Sequence, residues 1–478
     1  GRVVGGRAAA AARRAGRVAH GVLERELLLV EPPQQREERD VHEPLAQKED
    51  LGRELELERV RVVADELERA RPRHEELRLG VRLLRHRERG RELVDVVALG
   101  HDVRRELRVR EDALGDADHL ERPGNVIVDR IPDNEMQAAL ASWAQAGTRN
   151  GNHFWAQISH AGRQTQTNVN KHPKAPSAVT VGLPGGQFGE PVALTIAEIV
   201  DIAERFGICA KACQEAGFTG VQVHAAHGYL LSQFLSPRTN LRTDNYGGPL
   251  ENRARALLQV VAAIRKAVGS SFPIAVKLNS ADFQKGGFEF ADSIQVAKWL
   301  EAASVDVIEI SGGTYEQPQL LGVEGVEEVA EQEVKASTVA REAYFVDFAL
   351  AIQREVSIPL MVTGGFRQKH AMEEALASGA DIIGIGRPMC VMTDAPNQLF
   401  AGLAELPRYE SELNFFPPWL SFLSRFKTLR TLSTFGVQYW YYAQLDLLGQ
   451  FGKTQPEMST LAASKRVMAQ QKEWLAQR

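Results

Sequence analysis

The first 122 residues lack most of the side chains from which a folded domain is normally built. They contain no Phe, Tyr, Trp, Ile, Met, Cys, Ser, Thr or Asn, so all 19 Phe, 6 Trp and 8 Tyr of the chain lie beyond them. Aromatic and β-branched residues supply much of a core, and Ser, Thr and Asn supply helix caps and turns. We therefore expect no independent hydrophobic core in residues 1–122.

This Arg-, Glu- and Leu-rich segment has three interpretations. It is a charged extension, helix-prone or disordered, in which runs such as Leu51–Glu68 are held by Glu/Arg pairs three or four residues apart. Alternatively it is a basic arm for a polyanion, which the interleaved Glu and Asp disfavour. We prefer a third interpretation, an out-of-frame or antisense translation of GC-rich DNA, because most of the missing residue types have AT-rich codons. A continuous in-frame transcript across codon 123 would contradict it.

Other absences limit the class of protein. The chain has only 3 cysteines among 478 residues, too few for a disulfide framework, and a net charge of −5 gives no case for a nucleic-acid partner. No apolar run reaches the roughly 18 residues of a membrane span, and the Arg-rich start lacks the apolar core of a secretory signal. We expect a cytoplasmic protein with a small-molecule substrate and no nucleic-acid or membrane partner.

From Gly124 onward, short β-branched runs alternate with amphipathic helical stretches, which is typical of βα units around a parallel sheet. Seven runs have strand character: Asn125–Val128, Phe154–Ser159, Gly220–Val223, Ile274–Leu278, Asp306–Ile310, Leu360–Thr363 and Asp381–Ile385. The pattern predicts an α/β fold, a β/α (TIM) barrel over residues 123–395 that lacks its first βα unit, since a closed barrel has eight. Residues 396–478 are expected to form an aromatic-rich helical extension that packs on the barrel or on a second subunit of a homo-oligomer.

Polar side chains follow several of these runs directly, and such barrels carry their chemistry at the carboxyl ends of the strands. His224, His227 and Tyr229 come after the third run. Two histidines three residues apart suit a metal ion, but carboxylate or cysteine ligands in matching spacing are lacking, so we expect no metal. Lys277 lies near the end of the buried run Ile274–Leu278, which is an unusual place for a charge and makes it a candidate site residue.

Two glycine-rich loops follow the last two predicted strands. They are Thr363-Gly364-Gly365-Phe366-Arg367 and Gly384-Ile385-Gly386-Arg387-Pro388. Barrels bind phosphate at this place through backbone N–H groups. Each pattern alone is a common turn, but two on adjacent strand ends favour a phosphate site, with Gly365, Gly386 and Arg387 as its contacts.

The sequence around the histidines resembles the old yellow enzyme family. There a His-x-Ala-His/Asn-Gly-Tyr-Leu motif precedes Phe-Leu-Ser-Pro and an Arg-x-Asp-x-Tyr-Gly-Gly-x-x-Glu-Asn-Arg run. This chain has His224-Ala225-Ala226-His227-Gly228-Tyr229-Leu230, then Phe234-Leu235-Ser236-Pro237, then a matching run from Arg242 to Arg253. Gln157, in Ala156-Gln157-Ile158-Ser159, and Lys277 match two further family positions. The resemblance covers about residues 124–478 and implies an FMN-binding β/α barrel.

The resemblance also implies a role for each matching residue. His224 and His227 would donate hydrogen bonds to a substrate carbonyl oxygen, and Tyr229 would protonate the α-carbon. Gln157 would hydrogen-bond the flavin pyrimidine, and Lys277 would lie near flavin N1 and O2. The implied activity is that of an NAD(P)H:flavin oxidoreductase, in which hydride passes from NADH or NADPH through flavin N5 to an activated C=C bond.

Departures from the family leave two alternatives open. Nothing in residues 1–122 matches the family's first strand, and Glu92–Leu99 is the nearest run with strand character. One alternative is that the chain is an inactive truncated barrel without FMN. A colourless protein would indicate this, because oxidised flavin absorbs at ~450 nm. The other alternative is a flavin oxidase or demethylase. Supplying the photoreduced enzyme with enone or with oxygen would distinguish these activities from reduction of a C=C bond. With only Cys390 in the later half, the iron–sulfur cluster of longer family members is excluded.

Overall fold

The computed structural model describes residues 110–115, 117–183, 186–316, 345–413 and 427–477. All of these belong to one of two compact units, Leu77–Arg478. Within these ranges no helix combines the length and the apolar character that crossing a lipid bilayer requires. The predicted strand run Glu92–Leu99 lies outside the described residues.

An all-parallel sheet of eight strands organises this part of the chain. Its strands are β1 (Arg110–Gly115), β2 (Asn125–Ile127), β3 (Trp155–Ile158), β6 (Gly220–Ala225), β7 (Ile274–Asn279), β8 (Val307–Ser311), β9 (Leu360–Thr363) and β10 (Ile382–Gly384), in the order β10-β9-β8-β7-β6-β3-β1-β2. A separate parallel pair joins β4 (Lys174–Ala175) to β5 (Val192–Ala193). All seven predicted strands are present within two residues at each end.

One strand of the sheet, β1 (Arg110–Gly115), was not predicted from the sequence. It pairs in parallel with both Asn125–Ile127 and Trp155–Ile158, and Leu114 faces Ile158 in the register. Its sequence, Arg-Glu-Asp-Ala-Leu-Gly, is too polar to be recognised as a strand. The sheet therefore begins before the change of composition at residue 123. The absence of the first βα unit of the barrel stays a prediction. The domain boundaries at residues 122 and 395 also stay predictions.

Eleven helices follow the strands or form the C-terminal region in the described ranges. They are α1 (Asn134–Gly147), α2 (Ile196–Ala216), α3 (Leu230–Leu235), α4 (Leu250–Val268), α5 (Phe290–Ala302), α6 (Val346–Gln353), α7 (Lys369–Ser378), α8 (Ala395–Phe400), α9 (Tyr409–Glu412), α10 (Lys427–Phe451) and α11 (Thr460–Ala476). A capping box starts α2, because Thr195 accepts from the Glu198 backbone N–H while Glu198 accepts from that of Thr195. Gly217 ends the helix with φ of 96°, which favours glycine.

One face of the sheet carries two layers of side chains. Ala275, Val307, Met361 and Ile382 form an apolar cluster, with Trp155 packed against it. Because side chains alternate along a strand, the residues two positions further on point to the same face nearer the carboxyl ends. These include Gln157, Lys277 and Glu309. An apolar layer thus supports a polar layer at the strand ends.

The C-terminal helices pack onto the strand-end region. Trp440 of α10 is fully buried in a cluster that includes Val391, just after β10, and Val467 of α11. Its indole Nε1 donates to the Met458 carbonyl at 2.7 Å, so the polar atom of this large side chain is satisfied. This helix consequently reaches the neighbourhood of the polar layer.

Candidate active site

A cavity of about 290 Å³ lies at the carboxyl ends of the strands. Its lining includes five of the eight residues predicted for the site, namely Gln157, His224, His227, Tyr229 and Lys277. It also includes side chains from outside the strands: His119, Glu121, Tyr315, Gln438 and Tyr442. Residues more than three hundred positions apart in sequence, such as Glu121 and Tyr442 with a separation of 321, therefore meet in one place.

Four side chains form a hydrogen-bonded row across neighbouring strands of the sheet. Gln157 Nε2 donates to Gln222 Oε1 at 2.7 Å, Gln222 Nε2 donates to Glu309 Oε2 at 2.7 Å, and Lys277 Nζ lies 2.7 Å from Glu309 Oε1. The strand register explains the row, since Gln157 pairs with Gln222 and Lys277 with Glu309.

The negative charge of Glu309 fixes the polarity of this row. Burial alone would raise the pKa of Glu309, but the charge of Lys277 and hydrogen bonds from Lys277 and Gln222 outweigh it and lower the pKa. An ionised carboxylate only accepts, so Gln222 must turn its amide N–H groups to Glu309 and its oxygen to Gln157. Gln157 then keeps its own oxygen and one N–H for other partners in the cavity.

His224 is buried and His227 is half-buried, and both are neutral. Burial, followed by the nearby charge of Lys277, lowers the pKa of His224 to about 3. Burial, with His224 and Lys277, holds the pKa of His227 well below its usual value. His224 Nδ1 accepts from the Ala226 backbone N–H at 3.3 Å, which leaves the proton on Nε2. A neutral imidazole can still donate that N–H.

The position of His227 depends on two neighbouring strand ends. Its backbone N–H donates to Asn279 Oδ1 at 3.1 Å, and its Nε2 lies 2.8 Å from Ser311 Oγ. Its φ of 60° lies in the left-handed region, which is uncommon for a residue other than glycine. The contacts with Asn279 and Ser311 hold the ring in place despite this strained backbone.

Tyr229 takes part in a chain of hydroxyl groups. Its hydroxyl lies 2.7 Å from the Tyr315 hydroxyl, which donates to Glu121 Oε1 at 2.8 Å. Tyr442 of α10 donates to the same Glu121 oxygen at 3.2 Å. Burial, reinforced by the charge of Glu121, raises the pKa of Tyr229 well above 10. Tyr229 is therefore a protonated phenol at neutral pH.

Gly365, Gly386 and Arg387 lie outside the lining of this cavity, at the ends of the adjacent strands β9 and β10. A Cβ at Gly384 would overlap Thr363, whereas one at Gly386 would meet no heavy atom within 4 Å. Arg387 Nη1 lies 3.0 Å from Glu410 Oε1, and Arg367 Nη2 lies 2.7 Å from the same oxygen. The two guanidinium groups thus hold the Glu410 carboxylate, and open space lies beside Gly386.

Sequence reasoning missed several members of the site. Glu309 and Gln222 are polar residues inside apolar runs, Val307-Ile308-Glu309-Ile310 and Val221-Gln222-Val223, and this pattern could have identified them. Tyr315, Glu121 and Tyr442 gave no local signal. Glu121 falls in the discounted N-terminal segment, and Tyr442 in the tail that was interpreted as a docking element.

Comparison with known proteins identifies the family. A sequence model of the NADH:flavin oxidoreductase / NADH oxidase family matches residues 128–405, more than half of the chain. The chain belongs to this family. Membership confirms the resemblance found from the motifs, and FMN with a nicotinamide dinucleotide are the cofactors that the family uses.

Relatives in this family differ in how much of their length is matched. An NADH-dependent flavin oxidoreductase of Neonectria sp. (strain DH2) is 38% identical over 293 residues, which are 58% of this chain and 38% of that protein. One of Hypocrea jecorina (strain QM6a) is 36% identical over 302 residues, 60% of this chain and 72% of that protein. The chain thus spans from less than half to about three quarters of these two relatives.

Solved structures agree with the fold. An old yellow enzyme homologue from Zymomonas mobilis superposes with a TM-score of 0.51 at 24% identity, covering 69% of this chain and 90% of that one. A 2-naphthoyl-CoA reductase complex gives a TM-score of 0.54 at 25% identity, covering 65% of this chain and 48% of that one. The likeness supports the β/α barrel architecture expected from the sequence.

Proposed function

We propose that this protein is an FMN-dependent oxidoreductase that reduces an activated C=C bond, such as that of an enone, with electrons from NADH or NADPH. The observation that carries the proposal is the meeting of two neutral histidines, a protonated tyrosine and a lysine in one cavity. Bound FMN supplies the hydride chemistry, which no side chain here can perform. The protein's own part is binding, orientation and proton supply.

The residues present fit FMN at both of its ends. At the ring end, Gln157 offers an acceptor and an N–H to the pyrimidine edge, and Lys277 offers a cation. The hydrogen-bonded row that ends at Glu309 leaves these groups of Gln157 available. At the phosphate end, Gly365, Gly386 and Arg387 offer backbone N–H groups and a guanidinium beside open space. These roles are proposals that rest on the cavity and on the strand-end positions.

On the substrate, the two histidines and the tyrosine divide the work. His224 and His227 donate N–H groups to a carbonyl oxygen, where negative charge grows as the β-carbon is reduced, and neutral donors avoid the cost of burying cations. Tyr229 holds a proton for the α-carbon.

Separate measurement of the two half-reactions tests this assignment. Tyr229→Phe should slow the reduction of an enone by prereduced enzyme by about 10²-fold or more, because the general acid is lost. Reduction of the oxidised enzyme by NADH or NADPH should stay within twofold of wild type. Tyr246→Phe is the matched control, since Tyr246 is buried but bonded to Gln259 elsewhere in the fold. Equal loss in both half-reactions would contradict the role of Tyr229.

A further inference from the structure

Glu121, Tyr315 and Tyr229 form a continuous hydrogen-bonded path from a carboxylate to the cavity. The two links measure 2.8 Å and 2.7 Å between oxygens, which are normal for O–H···O bonds. All three side chains line the same cavity. A proton therefore has an unbroken route between Glu121 and the tyrosine that faces the substrate.

The protonation state of Glu121 sets the direction of this path. An ionised carboxylate only accepts, so Tyr315 gives it its single proton, and Tyr229 must then donate to Tyr315. In that state the Tyr229 proton points away from the substrate. When Glu121 is protonated it can donate to Tyr315, Tyr315 can donate to Tyr229, and the Tyr229 proton is released toward the cavity.

The surroundings make a stranded phenolate at Tyr229 unfavourable. Tyr229 is 8% exposed, and burial followed by the Glu121 charge raises its pKa. Among the described residues, the charged or titratable groups near Glu121 include Arg122 from its own segment, Tyr229 after β6, Tyr315 after β8, and Tyr439 and Tyr442 from α10. Arg122 lies 3.8 Å from the Tyr442 ring centroid, so the cation beside Glu121 also packs on α10. Donation from Tyr229 is therefore favourable only if a second proton follows it.

We propose that Glu121 is the proton reservoir of the site and acts on Tyr229 through Tyr315. As the C–H bond forms at the α-carbon, the Tyr229 O–H bond breaks, the Tyr315 proton moves to Tyr229, and the Glu121 proton moves to Tyr315. Glu121 is left ionised and regains a proton from water. No electrons move along the path, and the hydride comes from the reaction proposed above, on which this inference rests. Glu121 and Tyr315 are positioning residues, since of the three residues in the path only Tyr229 is assigned a contact with the substrate.

Glu121→Gln is the first test, because glutamine keeps the size and the acceptor but cannot release a proton. With prereduced holoenzyme, alkene reduction should fall on the order of 10²-fold and lose the dependence on pH that the acid gives it. Glu121→Asp, which keeps an ionisable proton, should recover much of the rate and of the pH dependence. Tyr315→Phe breaks the path and should resemble Glu121→Gln. In all three, reduction of the flavin by NADH or NADPH should slow much less than alkene reduction, because hydride transfer to the flavin needs no proton from this path.

Glu301→Gln is the matched control. Glu301, on α5, bonds to Ser357 away from the cavity, and this substitution should leave both half-reactions at the wild-type rate. A wild-type rate and pH profile in Glu121→Gln, with Tyr229→Phe still slow, would overturn the path and leave the proposed function standing. A wild-type enzyme that reduces no activated alkene would overturn both.

A second readout needs no flavin. Tyrosine ionisation in the FMN-free protein can be followed by ultraviolet absorbance as pH rises. Removing the Glu121 charge should move the ionisation of Tyr229 and Tyr315 to lower pH, and the shift should shrink when Tyr229→Phe is added to Glu121→Gln. An identical titration in wild type and Glu121→Gln would show that the carboxylate and the tyrosines are not coupled, and would refute the proposal.

Discussion

The buried ion pair between Lys277 and Glu309 should contribute a large coupling energy to stability. Its charged atoms are 2.7 Å apart, and the side chains are 15% and 4% exposed. At an effective dielectric constant of about 20 the attraction is about 6 kcal/mol, much of which offsets the cost of removing both charges from water. Removal of one partner leaves the other buried and uncompensated. We expect Glu309→Gln or Lys277→Met to lower the free energy of unfolding by about 3–5 kcal/mol.

A double-mutant cycle measures this coupling. Urea unfolding at pH 7, followed by tryptophan fluorescence, is compared for wild type, Glu309→Gln, Lys277→Met and the double variant. The coupling energy should be at least about 2 kcal/mol, because the double variant leaves no unpaired charge in the buried site. The exposed pair Lys298–Glu355, with a 2.6 Å contact and exposures of 42% and 46%, is the matched control and should couple by less than about 1 kcal/mol. Equal coupling in the two pairs would refute the reasoning.

Two further predictions concern stability. Between pH 6.5 and about 3 the unfolded chain binds a proton at His224 that the folded chain does not, so stability should fall as pH falls, by up to about 1.4 kcal/mol per pH unit from this residue. Urea midpoints from pH 7 to 5 should show a shallower slope in His224→Asn, and parallel slopes would contradict the burial argument. Thr195→Ala removes the side-chain acceptor of the capping box at the start of α2 and should cost about 1 kcal/mol in the same assay. An unchanged midpoint would mean that water replaces the cap without loss.

The parts of the fold that follow local patterns were predictable. Short β-branched runs located seven strands because a buried parallel strand needs apolar residues along its length. Thr195-Ile196-Ala197-Glu198 and Gly217 are local signals for the two ends of α2, where the structure has a capping box and a left-handed glycine. Arg110–Gly115 was missed because its polar sequence has no strand signal, and its pairing depends on neighbours elsewhere in the chain.

The candidate site was predictable where polar residues follow apolar runs. His224, Tyr229 and Lys277 stand out for that reason, and the cavity brings them together. The partners of Tyr229 were not predictable, because Glu121 and Tyr315 are 194 residues apart and Glu121 and Tyr442 are 321 apart. Such contacts are made by the tertiary fold alone, and no spacing rule along the sequence anticipates them.

The wall formed by α10 has a consequence for how the protein can diverge from its relatives. Gln438 and Tyr442 line the cavity from beyond residue 405, and Glu121 lines it from before residue 128, whereas the family match runs from 128 to 405. The matched segment therefore contains the histidines, Tyr229 and the proposed FMN contacts, while the flanking segments contribute part of the cavity lining, including Glu121. Exchange of the flanks between homologues would therefore change the lining of the cavity and the proposed proton path together, while the histidines and Tyr229 stay in place.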